Sequence, residues 1–412
     1  MTSSAEARAA ELARASYGRL LAILAARDGD IEQAEDFLAD AFAQALRVWP
    51  ASGVPDNPEA WLLTVARNRQ RDVRRSAAHR LTDPIDDVAP GDALAVMHEI
   101  DPDAIPDRRL ALLFVCAHPA IDPPIRTPLM LQTVLGFEAA EIARAFATPA
   151  STMAQRLVRA KRRIRDARIP FMVPDRDHMP ARLAPVLEAI YGAYAIDFPL
   201  VAGTAPRGSL AAESHWLAVT LTELLPNEPE VLGLAALISL SFARQPARES
   251  TDEFVPLDEQ DTRLWDAELI ALGESYLRRG RDLGGMGRFQ LEAAIQSVHC
   301  TRAISGITDW RALRVLYTAL LDIAPTLGAR VAHAAAVGRV DGPHAGLAAL
   351  DAITDDGVHR FQPAWATRAH LLAEAGRTNE ALLAYERAIS LTTDGKARIY
   401  LDWQRAHLYR EA

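Results

Sequence analysis

Cysteine is almost absent from this chain: there are two in 412 residues, Cys116 and Cys300. Two such residues cannot build a disulfide framework or a structural zinc site, and their apolar neighbours read them as packing residues in a reducing compartment. Aromatic residues make up 6%, and the alternating β-branched runs that mark strands are missing. No apolar run approaches a membrane span, and the opening MTSSAEARAAELARA lacks a signal-peptide core. The clustered acids, bases and nucleophiles of an enzyme are lacking too. His215, His299, His333, His344, His359 and His370 fall at no metal-ligand spacing. These absences point to a soluble, cytoplasmic protein that is not an enzyme, with no metal, no cofactor and no membrane partner.

What is present is helix-forming. Half the residues are apolar, Ala and Leu are abundant, and the composition is that of an all-α protein. The length calls for two or three domains. The net charge of −9 disfavours nucleic acid only on average: residues 1–174 carry 22 cations and 23 acids, and residues 175–412 carry 23 and 31. In the first part the positive charge gathers at Arg67–Arg80 and Arg156–Arg168, and local field rather than net charge decides where a polyanion docks.

The most informative stretch is GFEAAEIARAFATPASTMAQRLVRAKRRIRDAR, residues 136–168. It predicts a helix over Glu138–Phe146, a turn at Ala147–Pro149 and a second helix over Ser151–Arg165. On the second helix Met153, Leu157, Ala160 and Ile164 form an apolar stripe at helical spacing. Thr152, Gln155, Arg156, Arg159 and Arg163 recur on another face. One face to bury and one offering hydroxyl, amide and guanidinium groups is the pattern of a helix-turn-helix, whose second helix enters a major groove. Ser151 reads as its cap or a phosphate contact. Lys161, Arg162, Arg163 and Arg165 read as phosphate neutralisers.

Upstream, a helix is expected over about Ala5–Ala26, closing at Asp28-Gly29-Asp30. Asp30 caps a second helix that buries Ile31, Ala34, Leu38, Ala41, Ala45 and Trp49 and turns Glu32, Asp36, Asp40 and Arg47 outward. Pro50–Pro55 reads as a loop. Asn57 and Pro58 open a third helix, burying Trp61, Leu62, Val65 and Val73 and exposing Thr64, Arg67, Asn68, Arg71 and Arg75. From Leu81 to Pro106, scattered aspartates and prolines mark an acidic linker, with a short helix near Ala93–Met97. Helical pattern resumes at Arg108 and continues through Ala111–His118 and Arg126–Leu135.

Two basic helices separated by an acidic linker carry a family resemblance. AEDFLADAFAQAL (34–46), NPEAWLLTVARNRQRDVRR (57–75) and GFEAAEIARAFATPASTMAQRLVRAKRRIR (136–165) resemble regions 2 and 4 of an extracytoplasmic-function (ECF) RNA polymerase sigma factor. LLPNEPEVLGLAAL (224–237) and PLDEQDTRLWDAELI (256–270) resemble the subgroup with a large C-terminal helical extension. The resemblance implies four segments. Residues 1–80 would be a region 2 bundle, 81–106 the linker, 107–174 the region 4 helix-turn-helix, and 175–412 a helical regulatory domain. It further implies that Asp36 and Asp40 meet the β′ clamp of core polymerase, although Ala39 stands where many relatives have Gln. The β flap would be a second polymerase contact. Asn57, Arg67, Asn68, Arg71 and Arg75 would lie at the −10 element, and Ser151, Thr152, Gln155, Arg156, Arg159 and Arg163 at the −35 element. The linker would thread toward the RNA exit path.

The tail AWATRAHLLAEAGRTNEALLAYERAISL (364–391) has the pattern of a tetratricopeptide (TPR) helix pair. A weaker copy places Ala352-Ile353 36 residues before Ala388-Ile389, close to the period of about 34. Such arrays present a groove to a protein or peptide ligand. Gly284-Gly285-Met286-Gly287-Arg288 lacks the preceding strand and the following Lys-Ser/Thr of a phosphate loop and reads as an inter-helix loop. The alternative function is a helix-turn-helix regulator with a TPR-like sensor, independent of polymerase.

Overall fold

The computed structural model describes residues 9, 12, 16–25, 30–79, 108–146, 148–167, 169, 174–200, 208–249, 253–392 and 394–411. The expected linker, its short helix near Ala93–Met97, and most of the expected first helix before residue 16 lie outside them. Among the described residues every regular element is helical. The chain divides into two units, Met1–Ala193 and Tyr194–Ala412.

The first unit opens with α1 (residues 16–25), which buries Leu20, Leu21, Ala22, Leu24 and Ala25. In α2 (Ile31–Ser52) the Asp30 side chain accepts the Gln33 N–H at 3.0 Å, and the expected stripe from Ile31 to Trp49 is buried, with Phe37 added to it. The helix runs past Pro50, where a loop was expected. Proline removes only one backbone donor, and the last turn is closed by Ser52 Oγ donating to Val48 O (3.0 Å) and Gly53 N–H donating to Trp49 O (3.0 Å). Gly53, at φ 81°, then turns the chain away.

Helix α3 (Pro58–His79) starts where Asn57 and Pro58 place it, with Asn57 Oδ1 accepting the Ala60 N–H at 3.0 Å. Its buried stripe is Leu62, Ala66 and Gln70, whereas Trp61 and Val65 are half-buried and Val73 is exposed. The helix is therefore rotated from the expected face: a run at i, i+4, i+8 points inward, and Val73 lies off it. Trp61 still meets Trp49 edge-on, with ring centroids 5.5 Å apart. Glu59 ties α3 to α1 by pairing with Ser16 and Arg19.

Helix α4 (Arg108–Cys116) is buried throughout Leu110–Cys116. Helix α5 (Pro123–Thr133) begins three residues earlier than Arg126, because prolines in a first turn forfeit no intrahelical bond. Cys116 is buried with Sγ 3.6 Å from Thr133 Oγ1, and burial pushes its thiol up to about 12. Helices α6 (Ala139–Ala145) and α7 (Ala150–Asp166) follow, packed on each other and on α5. Helix α8 (Pro180–Leu200) contributes Leu183, Val186, Leu187 and Ile190 to this unit's core, and Arg182 donates to Phe114 O at 3.4 Å. The unit thus holds both expected N-terminal modules together with residues 175–193.

The second unit is built around α10 (Pro229–Phe242), in which every residue from Val231 to Ser241 is buried. A helix apolar all round must be surrounded; α9 (Gly208–Leu224), α12 (Ala267–Asp282) and α13 (Arg288–Cys300) surround it. The short helices α11 (Gln245–Glu249) and α14 (Arg302–Ser305) follow α10 and α13. From α15 (Trp310–Ile323) onward each helix packs on its successor: α16 (Leu327–Asp341), α17 (Pro343–Asp351), α18 (Gln362–Glu374), α19 (Thr378–Leu391) and α20 (Gly395–Glu411).

Helices α18 and α19 begin 35 residues after α16 and α17 (Leu327 to Gln362, Pro343 to Thr378). In that register Ala334 matches Ala369, Gly346 matches Ala381 and Leu350 matches Tyr385, all buried. The 36-residue offset read from sequence is one too many: Ala352-Ile353 lies past the end of α17, while Ala388-Ile389 lies inside α19. Gly346 is fixed by contact, since a Cβ there would stand 2.8 Å from Gly338 Cα and 3.1 Å from Ala334 O.

Candidate nucleic-acid interface

Helix α7 buries Met153, Leu157, Ala160 and Ile164, as its pattern requires. Gln155, Arg156, Arg159 and Arg163 are exposed on its other side, and Thr152 is half-buried. The three arginines recur at i, i+3 and i+7, one above the other on a continuous face. The helix begins one residue earlier than expected: Pro149 is the N-cap residue and makes no side-chain cap. Ser151 therefore sits exposed in the first turn and does not cap the helix. The connection from α6 is held by Thr148 N–H donating to Ala143 O at 2.9 Å and Thr148 Oγ1 to Phe146 O at 3.1 Å.

Two expected phosphate contacts are already engaged. Lys161 Nζ donates to Glu35 Oε2 at 2.6 Å, with the two side chains only 9% and 19% exposed. One turn on, Arg165 Nη1 donates to Glu32 Oε2 at 3.0 Å. Lys161 sits next to the buried stripe of α7, so its stem lies along apolar surface and its ammonium meets α2. Burial pushes the Glu35 carboxyl up despite Lys161, with Asp36 and Glu32 adding to the rise. Burial, and then the carboxylates of Glu35 and Asp36, raise the Tyr17 phenol.

The sequence pattern did not pair Glu32 and Glu35 with the cations of α7. The available signal was position: they flank the stripe Ile31, Ala34, Leu38 at the edge of the apolar face, where a carboxylate needs a partner. A second contact between α1 and the α5–α6 connection accompanies these pairs. A Cβ on Gly18 would stand 1.7 Å from Val134 O, so the two backbones touch there.

On α2, Asp36 and Asp40 lie one turn apart and exposed. Asp40 Oδ2 accepts from Arg69 Nε at 3.3 Å, an exposed pair linking α2 to α3. On α3, Asn68 and Arg71 are exposed and hydrogen-bonded to each other, while Arg67 is half-buried. Asn57 is exposed, and its carboxamide oxygen is committed to the helix cap. The Arg75 side chain lies outside the described residues. The structure thus gathers the α2 acids, the α3 cations and the α7 cations into one unit, with some α7 cations neutralised from α2.

The α1–α3 helices carry a sigma-factor-like region, as comparison with known proteins shows. Residues 12–80 match the family model Sigma-70 region 2, and residues 182–281 match a family of unknown function, DUF6596. The chain is 33% identical over 391 residues to uncharacterized protein R00370 of Rhizobium meliloti (strain 1021), covering 93% of this chain and 91% of that protein. It belongs to the same family as R00370. It is also 32% identical over 154 residues to the probable ECF RNA polymerase sigma factor SigI of Mycobacterium tuberculosis, in two strains. That likeness covers 36% of this chain and about half, 52%, of SigI. Over that part the homology is to ECF sigma factors, a class of non-catalytic transcription proteins. No solved structure matches the chain significantly. Among the described residues no helix is long and apolar enough to cross a membrane.

Proposed function

We propose that this chain is an ECF-type sigma factor, a cytoplasmic protein that binds core RNA polymerase and directs it to promoters, with a regulatory C-terminal domain. The observation that carries the reading is the coincidence of the Sigma-70 region 2 match with the α1–α3 bundle. On that bundle exposed acids lie on α2 and exposed polar and cationic groups on α3. Asp36 and Asp40 offer paired carboxylates to a basic surface of the β′ clamp, where charge complementarity sets register. The β flap would meet the second module. Asn68, Arg71 and Arg75, with Arg67 and Asn57 beside them, serve the −10 element, whose bases are readable only once out of the stack.

Helices α6 and α7 act as the helix-turn-helix for the −35 element. Thr152, Gln155, Arg156 and Arg159 face base edges, and Ser151 and Arg163 face phosphates. The α16–α19 pairs are read as TPR-like hairpins with a groove for a protein or peptide.

The test is transcription in vitro with purified core polymerase on genomic fragments. Discrete new transcripts that vanish with Arg156→Ala or with Asp36→Ala are the expected result. Failure of the full chain to bind core polymerase in any condition would remove the assignment.

A further inference from the structure

The connection from α11 to α12, residues 250–266, is long, and loops beyond about 12–15 residues without regular structure of their own are most often functional. Its described residues hold only two short 3₁₀ turns, Leu257–Glu259 and Thr262–Leu264. One end of this strap is fastened. Arg302 donates to the carbonyls of Leu257 (2.8 Å), Asp258 (2.6 Å) and Gln260 (2.8 Å), and lies over the buried Trp265 ring at 5.1 Å.

The other end rests on helices far along the chain. The Phe254 ring meets that of Tyr400 on α20, with centroids 5.3 Å apart. Asp258 Oδ2 accepts from Arg339 Nη2 on α16 at 3.4 Å. Helix α16 packs on α18, and α20 begins at Gly395, close to the next step of the 35-residue register. The strap thus bridges the first helices of two hairpins, one on either side of α18.

Both contacts are weak. Phe254 is 41% exposed, and the ion pair is exposed as well, so it contributes little. Arg339 is placed without the strap: its Nη1 lies 3.6 Å from Glu374 Oε1 of α18, and its guanidinium sits over the Trp310 ring at 5.3 Å. Arg339 and Trp310 also line a groove of about 580 Å³ with Ile307 and Val340, so open surface continues past Asp258.

We infer that residues 253–260 are a tethered stand-in for a partner. The surface they cover on α16 and α20 binds a peptide carrying an aromatic residue four positions before a carboxylate, and that peptide displaces them. A ring on Tyr400 and a carboxylate on Arg339 are the contacts the chain itself makes there, and the groove beside Trp310 has room for the residues that follow. The inference rests on reading the α16–α19 hairpins as a peptide receptor, and is independent of how the first unit is read.

The test is fluorescence anisotropy of a labelled synthetic peptide with the strap sequence EFVPLDEQ, titrated with the full-length protein. A tethered segment competes at an effective concentration of about 1 mM. The Phe254→Ser/Asp258→Asn chain should therefore bind the peptide about tenfold more tightly than the native chain, and adding Arg339→Met should remove that gain. Circular dichroism checks the folding of each variant. Should the paired variant not fold, Asp258→Asn alone decides, with an expected gain of about threefold. Equal binding to native and released chains overturns the inference but leaves the hairpins as a peptide receptor. No binding to either chain overturns the receptor reading with it, and a gain that survives Arg339→Met overturns the assigned surface.

Discussion

Glu230, in the first turn of α10, shows why the glycine-rich loop between α12 and α13 exists. Its carboxylate accepts the N–H groups of Phe289 (2.9 Å) and Gln290 (3.1 Å), so it caps α13 from another helix. A Cβ on Gly287 would stand 2.2 Å from the Glu230 carboxyl carbon, and one on Gly233 would stand 2.6 Å from Gln290 N. At Gly233 the neighbour is backbone and glycine is required; at Gly287 a larger residue would displace the Glu230 carboxylate from its cap. Glu230→Ala should cost about 1 kcal/mol of second-unit stability by loss of the cap, read from urea unfolding, and Gly233→Ala more, because backbone must move. His299 adds a pH dependence. Its folded pKa, about 3, lies below the ordinary 6.5, so its contribution is complete above 6.5 and drains away as pH falls toward 3. His299→Leu should flatten the acid side of the second unit's unfolding profile over that window.

Among the elements, the Lys161–Glu35 pair is the clearest joint. Removing one member of a buried ion pair strands the other, so Lys161→Met should destabilise the first unit by about 3 kcal/mol. The double change with Glu35→Leu should return to within about 1 kcal/mol of the native chain, measured in the same denaturant series. Gly18→Ala tests the neighbouring contact without touching a charge. It should loosen the packing of α1 on the α5–α6 connection, detectable as faster hydrogen exchange of α1 amides.

Much of this architecture was legible in residue order. The stripes Ile31–Trp49 and Met153–Ile164, the caps at Asp30 and Asn57, and the glycine loop at 284–287 are local patterns, and each fixes its own element. What escaped was set by partners distant in sequence. Glu35 and Lys161 are 126 residues apart, and neither carries a mark of the other. Val73 was expected inside because it is apolar, but its place on the helix faces water. The repeat register slipped by one because Ala-Ile recurs at two places with different roles, a coincidence that only the helix ends resolve.

At the scale of the molecule, the first unit ends well beyond the last basic residue of α7. Met179, Leu183, Val186, Leu187 and Ile190 are buried in it. A fragment ending at residue 174 should melt below one ending at 193, since each buried aliphatic side chain contributes about 2 kcal/mol; thermal unfolding of the two fragments checks this.

The pairing of α7 with α2 also alters how the protein should respond to salt. On the proposed reading, the carboxylates on Lys161 and Arg165 compete with DNA phosphates for them, so these two cations have few mobile counterions to release on binding. Added salt weakens protein–DNA contacts in proportion to the ions released, and it also weakens the internal pairs, the exposed one above all. The two effects oppose each other. The native chain should therefore lose promoter affinity with rising salt less steeply than a Glu32→Gln/Glu35→Gln variant. In that variant the same cations go free, and binding DNA must displace their ions.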